Sequence, residues 1–254
     1  MLEGISFRDI DINFDFTSDT PRYWDGFWED DLVFGKFNND PDSASKTMKL
    51  YHKVLYSRIL PNGKRMCLKI GTNSEYLVWD DFKFGSDSII VSFRYKKNRY
   101  IIEQVANSMP NWQAYMESYI KKSYTVGGEI IFPKYKGGIN QTRGCNQYIC
   151  DRWDLTLECI RRYYIGETSP LYTVLHKNKS FFDLFIDFRG YVDYFFLQDC
   201  VSEDYDSVVF WIGSGEFEKY PFPKTVSEYL DWITKELEFV NKRNNRIREY
   251  CQSI

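Results

Sequence analysis

The segment from Gly137 to Tyr164 combines residue types that bind phosphorylated ligands. It reads GGINQTRGCNQYICDRWDLTLECIRRYY and places glycines, amides and arginines directly before a patterned helix. Arg143 and Arg152 can both bring positive charge to the start of this helix, where the helix dipole already favours an anion. Backbone amides around Gly144 can also cradle phosphate or carboxylate oxygens. The segment therefore predicts an anion-binding pocket.

Neighbouring polar side chains extend this prediction to a nucleotide. Asn140 and Gln141 carry amide groups of the kind that pair with the edge of adenine. Glu158 or Asp154 would serve as a base in phosphoryl or glycosyl transfer, chemistry that needs fixed cations beside developing charge. The first hypothesis is a protein that binds a nucleotide or a nucleic-acid phosphate at residues 137–164. It has five candidate ligand-binding residues: Asn140, Gln141, Arg143, Arg152 and Glu158.

A structural interpretation of the same residues stays open. The amides can cap the loop, and Arg152 can pair with Asp151 or Asp187, since buried arginine pairs can be purely structural. Glu158 has arginines at i+3 and i+4, the spacing of ion pairs on a solvated helix face. The string GGINQTRG has neither the P-loop spacing nor the dinucleotide-binding spacing.

Other chemistries find less support in the sequence. Six cysteines and two histidines are present, without a Cys-x-x-Cys pair, and a closed zinc site needs four ligands. We therefore expect reduced thiols and no metal site, and the sequence indicates no particular cofactor. The string FGSDSIIVSF resembles the Gly-Ser start of nucleotidyltransferase sites, but the strand after it carries no paired carboxylates.

Length and composition restrict the class of protein. The chain has 254 residues, a net charge of −3 and 19% aromatic residues. This charge argues against a protein that binds nucleic acid over its whole surface, because such domains are basic. The sequence shows neither an apolar run of membrane-spanning length nor a signal peptide, so we expect a cytoplasmic protein.

Two helices must position the candidate residues. The spacing of apolar side chains predicts a helix over 147–165, with Trp153, Leu157 and Ile160 buried and Asp154 and Glu158 on the opposite, solvated face. A longer helix is predicted over 225–248. Thr225 and Glu228 form its capping box, and its predicted apolar stripe comprises Val226, Leu230, Ile233, Leu237 and Val240.

The N-terminal half is richer in predicted strands. RDIDINFDF alternates apolar and polar residues with a period of two, as a half-buried strand does. A helix in DPDSASKTMKLYHKVLYSRIL follows, with Asp42 or Ser43 as its N-cap, and then strands in RMCLKI, SEYLVW, SIIVSFRY and TVGGEIIFP. In the last string, the pair Gly127–Gly128 suggests a bulge or a close approach by another group. The order of elements predicts one α+β domain over residues 1–254, with a mainly antiparallel N-terminal sheet and C-terminal helices packed on it.

Several strings resemble those of a known family along nearly the whole chain. They are FDFTSDTPRYWDGFW, DPDSASKTMKLYHKVLYS, GSDSIIVSFRY and INQTRGCNQYICDRWDLTLECIRRYY. The chain is similar, over these strings, to a family of uncharacterised bacterial proteins with no assigned activity. The resemblance therefore implies no catalytic residues.

A second hypothesis is a non-enzymatic module that binds a protein partner. Its surface would combine the aromatic loop Tyr23–Trp28 with the basic end of the last helix, because Trp, Tyr and Arg dominate interaction hot spots. The basic residues concerned are Lys242, Arg243, Arg246 and Arg248. Stress response or phage defence would suit either hypothesis, on the bacterial resemblance alone.

Overall fold

The computed structural model describes residues 5–28, 39–72, 75–90 and 99–254. Four strands form one sheet in the order β1-β2-β3-β4, with every neighbouring pair antiparallel. The strands are β1 (Lys69–Ile70), β2 (Leu77–Trp79), β3 (Phe82–Ser88) and β4 (Glu129–Pro133). The α+β class with an antiparallel sheet in the N-terminal half is confirmed.

Helices make up most of the regular structure. The first four are α1 (Pro41–Ala44), α2 (Lys46–Tyr56), α3 (Arg99–Ser108) and α4 (Trp112–Ser123). After β4 come α5 (Ile139–Cys145), α6 (Trp153–Tyr164), α7 (Tyr172–Lys177), α8 (Lys179–Phe182), α9 (Phe188–Tyr194) and α10 (Val226–Gln252). Short 3₁₀ turns lie at Phe7–Asp9, Val126–Gly128, Asp183–Phe185 and Gln198–Cys200.

The longest helix, α10, packs against the turn that leads into β4. A Cβ atom at Gly127 would lie 2.6 Å from both the side-chain oxygen of Asn244 and the carbonyl oxygen of Val240. A Cβ atom at Gly128 would lie 1.7 Å from the carbonyl oxygen of Ser123, the last residue of α4. The close approach expected at this glycine pair is therefore confirmed, and it lets α4 and α10 both reach the sheet.

Arg243 fixes α10 to the same turn. Its guanidinium is fully buried and donates hydrogen bonds to the carbonyl oxygens of Gly127 and Glu129, both at 2.8 Å. It also donates to the carbonyl oxygen of Phe195 at 3.0 Å and to Tyr56 Oη at 2.9 Å. A buried charge is tolerated when its donors are satisfied in this way, so Arg243 belongs to the core.

Some predicted elements differ from the observed ones. The apolar residues Ile10, Ile12 and Phe16 are buried as expected, but the segment forms turns rather than a strand. Two backbone N–H groups of this segment donate to other parts of the chain: Asp11 N to Tyr51 Oη at 3.1 Å and Phe16 N to Tyr124 O at 2.9 Å. The string SVVFWIG contributes one isolated bridge, Val201 to Val208. In SIIVSFRY, Ser88 ends β3, and residues 91–95 lie outside the described residues.

The helix predicted over 147–165 begins six residues later, at Trp153. Backbone turns occupy 147–151, with positive φ angles of 49° at Cys150 and 68° at Asp151. A left-handed conformation at two consecutive residues cannot continue a right-handed helix. Conversely, residues 139–145, expected to be a loop, form α5.

We expect Thr225→Ala to lower the free energy of unfolding by about 1 kcal/mol, because Thr225 caps α10. Its hydroxyl accepts a hydrogen bond from Glu228 N at 3.2 Å, and Glu228 in turn accepts one from Lys224 N at 2.7 Å. Urea denaturation measures the change. Thr225→Ser keeps the hydroxyl and should remain within a few tenths of a kcal/mol of the wild type. Equal losses in both variants would contradict the capping role.

Candidate functional site

A cleft of about 710 Å³ opens where the sheet meets α1 and α5. Three chain segments line it: residues 40–43 at α1, residues 85–87 in β3, and residues 133–141 from the end of β4 into α5. Lys49 and Tyr76 complete the lining. We call it the Asp87 cleft, after the carboxyl group on its β3 side. It brings together carboxyl, ammonium, amide and phenol groups from distant parts of the sequence.

The acidic side of the cleft contains a pair of hydrogen-bonded carboxyl groups, Asp42 and Glu129. Glu129 is fully buried behind Ser86, whose hydroxyl lies 3.3 Å from Glu129 Oε2. Burial, followed by the charge and hydrogen bond of Asp42, raises the pKa of Glu129 well above its ordinary value. These effects favour the protonated form of Glu129 beside Asp42.

Asp87 is the second acidic centre. Arg143 Nη1 lies 2.7 Å from Asp87 Oδ2 and 2.9 Å from Asp151 Oδ1, so one guanidinium holds two carboxylates. Burial raises the pKa of Asp87, Arg143 opposes this effect, and the nearby charges of Asp151 and Asp42 add to it. A carboxyl group with these neighbours is able to exchange a proton nearer to neutral pH than an exposed aspartate.

The floor of the cleft continues into a buried polar network. Tyr76 Oη lies 3.0 Å from His52 Nδ1, and both side chains are buried. Burial, aided by the positive charge of Arg243, lowers the pKa of His52 to about 3, so the imidazole is neutral. This network fixes Tyr76 at the cleft wall without adding charge to it.

Lysines form the basic rim. Lys49 Nζ lies 5.2 Å from the centre of the Tyr76 ring, within range of a cation–π contact. The side chain of Lys134 crosses β3 at Gly85, where an added Cβ atom would come within 2.9 Å of Lys134 Cδ. Lys134 and Lys136 are exposed. Three ammonium groups therefore stand around a cleft lined by three aspartates, Asp40, Asp42 and Asp87.

Two of the residues predicted to bind a ligand, Asn140 and Gln141, line the Asp87 cleft. Asn140 Nδ2 donates to Ser86 O at 3.0 Å, and Gln141 Oε1 accepts from Gly137 N at 2.8 Å. Arg143 is fully buried behind the cleft and acts on it through Asp87. Of these three predicted ligand-binding residues, Asn140 and Gln141 line the cleft, and Arg143 holds Asp87 from behind it.

A family model matches residues 10–247. The chain belongs to DUF6994, a family of unknown function. The resemblance to a family without an assigned activity is therefore confirmed. No curated protein and no solved structure matches the chain. The function of this DUF6994 chain must therefore be inferred from its own residues.

Arg152 does not join Arg143 at an anion site. Its guanidinium forms a two-point contact with Asp154, with Nε to Oδ1 at 3.0 Å and Nη2 to Oδ2 at 2.5 Å. The remaining donors reach the carbonyl oxygens of Pro221 and Ile212, both at 2.9 Å. The anion expected at the start of α6 is thus the protein's own Asp154, and the convergence of the two arginines is not observed.

The two acidic residues of α6 also differ from the prediction. Asp154 and Glu158 are buried rather than solvated, because the segment around Trp211 covers that face of the helix; Trp211 N donates to Asp154 at 2.9 Å. Glu158 pairs with Arg161 at 2.7 Å and with Arg162 at 2.8 Å, as their spacing predicts. Burial raises the pKa of Glu158, but these hydrogen bonds outweigh it and lower the pKa overall. Neither carboxylate lines the Asp87 cleft.

The surface proposed for a protein partner is smaller than the sequence predicts. Tyr23 and Phe27 are buried, and Trp28 Nε1 donates to Glu117 at 3.0 Å. On α10, Arg243 is buried and Arg246 forms an ion pair with Asp199. Both the aromatic loop and the basic helix end therefore turn several of their side chains inward.

Sequence reasoning missed the acidic half of the cleft. Asp42 looks like a helix cap and Glu129 like a polar residue in a buried strand, because each is isolated in the sequence. Asp87 lies in the string FGSDSIIVSF, where we looked for its partner carboxylates on the same strand. The acidic neighbours of Asp87 come instead from the turn before α6, which contains Asp151, and from α1, which contains Asp42, and only the tertiary structure brings these segments close.

Two further observations concern the described part of the chain. Within it, no group of three or more His, Cys, Asp or Glu side chains is arranged to hold a metal ion. None of the helices in these same ranges is long and apolar enough to cross a membrane.

Proposed function

We propose that this DUF6994 chain binds a nucleotide in the Asp87 cleft and cleaves or transfers its glycosyl group. The observation that carries this proposal is the combination, in one cleft, of a lysine rim and a wall of carboxyl groups with perturbed pKa values. Phosphate and sugar place opposite demands on a binding site. A cleft with both kinds of group matches a ligand with both parts.

The lysine rim supports recognition of phosphate. An ammonium group binds phosphate as a point charge, and Lys134 and Lys136 follow one another closely at the mouth of the cleft. Lys49 also lines the cleft, beside Tyr76. In the sequence-based hypothesis Arg143 and Arg152 bound the phosphate. In this proposal the lysines bind the phosphate instead, and Arg143 positions Asp87.

The carboxyl groups support glycosyl transfer over the phosphoryl transfer also considered from the sequence. Glycoside cleavage uses one carboxyl group as an acid and another as an anion beside the sugar. Asp87, with its raised pKa, is placed to give a proton to the departing base. The raised pKa of Glu129 favours its neutral form, and an Asp42 carboxylate in the cleft lining would stabilise positive charge at the sugar.

The hydrolytic step balances with water as the second reactant. The bond between C1′ and the base nitrogen breaks, and its electron pair goes to that nitrogen, which takes the proton from Asp87. Water then adds to C1′ and returns one proton to the Asp87 carboxylate. The products are the free base and a sugar phosphate with a hydroxyl group at C1′. A bacterial and cytoplasmic setting, inferred from the resemblance and the composition, belongs to the same proposal.

Titration calorimetry against nucleoside monophosphates, with chromatographic detection of released base, tests the proposal. We expect the double variant Lys134→Ala/Lys136→Ala to bind about tenfold more weakly or worse, because each charge-assisted contact contributes about 1.5–3 kcal/mol when fully formed. Asp87→Asn should retain binding and release base at least about a hundredfold more slowly, the usual effect of losing a general acid. Arg143 keeps Asp151 as a partner in this variant.

Lys177→Ala is the matched control, because Lys177 is an exposed lysine at the end of α7 and lies outside the cleft lining. It should bind and react like the wild type. Wild-type protein that binds no nucleotide would refute the proposal. Binding without any release or transfer of base would leave a nucleotide-binding protein and remove the glycosyl chemistry.

A further inference from the structure

Asn140 lines the Asp87 cleft, and its amide oxygen is an acceptor that the described residues leave without a partner. Its Nδ2 donates to the carbonyl oxygen of Ser86 at 3.0 Å. Since a carbonyl oxygen only accepts, the amide nitrogen must face Ser86, and this fixes the orientation of the amide group. Asn140 Oδ1 is then buried and has no hydrogen-bond partner in the described part of the chain. Buried polar atoms in folded proteins are nearly always satisfied, and because Asn140 lines the cleft, a donor bound there would satisfy this oxygen.

An aromatic ring lines the same cleft. Tyr135 lies four residues before the start of α5 and leaves 43% of its surface exposed. Its hydroxyl accepts a hydrogen bond from Asn178 Nδ2 at 2.8 Å, and Asn178 is itself buried. The ring is therefore held in place by its far end while its face stays open. Exposed rings that are fixed in this way act as stacking platforms for bases.

We infer that the Asp87 cleft selects nucleotides whose base carries an exocyclic amino group. This inference rests on the proposed function and specifies its ligand. The base stacks on Tyr135 and donates a hydrogen bond from its amino group to Asn140 Oδ1. Adenine and cytosine have this donor. Hypoxanthine and uracil carry an oxygen at the same position, which would face the oxygen of Asn140 and leave two acceptors unpaired.

The test compares nucleotides that differ at this group, in titrations of the full chain with AMP against IMP and with CMP against UMP. We expect the wild type to bind AMP and CMP at least about tenfold more tightly than their oxo counterparts. Asn140→Ala should reduce both ratios to about one, chiefly by weakening AMP and CMP. Tyr135→Ala should weaken all four nucleotides and leave the ratios unchanged.

The wild-type titrations decide the question even if a variant folds poorly. Equal affinities within each pair would overturn the inference while leaving the proposed nucleotide binding intact. Absence of binding by all four nucleotides would remove both. A preference for the amino nucleotides that persists in a folded Asn140→Ala variant would also overturn it, because another residue would then read the amino group. Circular dichroism of each variant establishes that the fold is retained.

Discussion

Arg152→Ala should lower the free energy of unfolding by about 3–5 kcal/mol, the usual cost of removing one partner of a buried ion pair. The carboxylate of Asp154 is completely buried and would lose its two-point contact. The carbonyl oxygens of Ile212 and Pro221 would lose their donors as well. Urea denaturation monitored by tryptophan fluorescence measures the loss.

Arg161→Ala is a suitable control on the same helix. It removes the same charge, but Glu158 keeps Arg162 as a partner at 2.8 Å, so we expect a loss of about 1 kcal/mol or less. A double variant, Arg152→Met with Asp154→Asn, should recover part of the stability lost in Arg152→Ala, because no buried charge remains unpaired. If Arg152→Ala unfolds within about 1 kcal/mol of the wild type, Arg152 is not a structural residue and regains its place as a ligand candidate.

Arg143 and Arg152 show what a local sequence pattern can predict and what it cannot. Both were expected to need an anion, and both have one: Asp87 and Asp151 at Arg143, and Asp154 at Arg152. The electrostatic requirement was visible in the sequence, because a guanidinium near the core must be paired. The identity of the partner was not, because Asp87 lies 56 residues from Arg143. Asp154 was assigned to the solvated face, since the residues that cover it are near Trp211.

In the helices too, features set by neighbouring residues were predicted, and features set by distant contacts were not. The apolar stripe of α6 and the cap of α10 depend on residues within a few positions, and both were predicted. The start of α6 depends on the left-handed turn at Cys150 and Asp151, which Arg143 holds through the Asp151 carbonyl at 2.6 Å. A tertiary contact therefore overrides the local helical pattern there.

In the candidate site, Asn140 and Gln141 could be predicted because they are adjacent polar residues in a glycine-rich segment. The carboxyl pair could not. Asp42 and Glu129 are 87 residues apart in the sequence, and their contact depends on how α1 packs against the sheet. Such pairs carry the perturbed pKa values, so the chemistry of this cleft arises from the tertiary structure.

Glu129→Gln should make the protein more stable than the wild type above pH 7, by an amount that grows with pH. Burial and the neighbouring acids raise the pKa of Glu129 in the folded state well above its ordinary value of 4.5. The folded protein therefore binds more protons than the unfolded chain above pH 4.5. Stability from this group is complete below pH 4.5 and falls as pH rises towards the folded pKa, by up to about 1.4 kcal/mol per pH unit. Glutamine keeps the shape and hydrogen bonds of the protonated acid and does not titrate.

His52 has the opposite effect on stability, and His52 and Glu129 together shape the dependence of the free energy of unfolding on pH. Burial lowers the pKa of His52 from 6.5 to about 3, so the unfolded chain binds the extra proton between these values and stability from His52 rises with pH. The slopes of His52 and Glu129 oppose one another between pH 4.5 and 6.5. Asp87 adds to the fall between pH 3.8 and its raised pKa of about 7, so above pH 7 the fall comes chiefly from Glu129.

Urea denaturation of both proteins at intervals from pH 5 to 9 therefore gives a distinctive comparison. The wild type should lose stability from pH 5 upward, because the falling contributions of Glu129 and Asp87 together exceed the rising contribution of His52. Glu129→Gln should stay nearly flat across this range, because His52 and Asp87 oppose one another up to pH 6.5 and the Asp87 contribution ends near its folded pKa of about 7. Glu103→Gln removes the same charge from an exposed helix pair with Arg99 and should keep the wild-type slope. Parallel profiles for the wild type and Glu129→Gln would mean that the pKa of Glu129 is not raised in the folded protein, and the neutral Glu129 beside Asp42 would be lost from the proposed site.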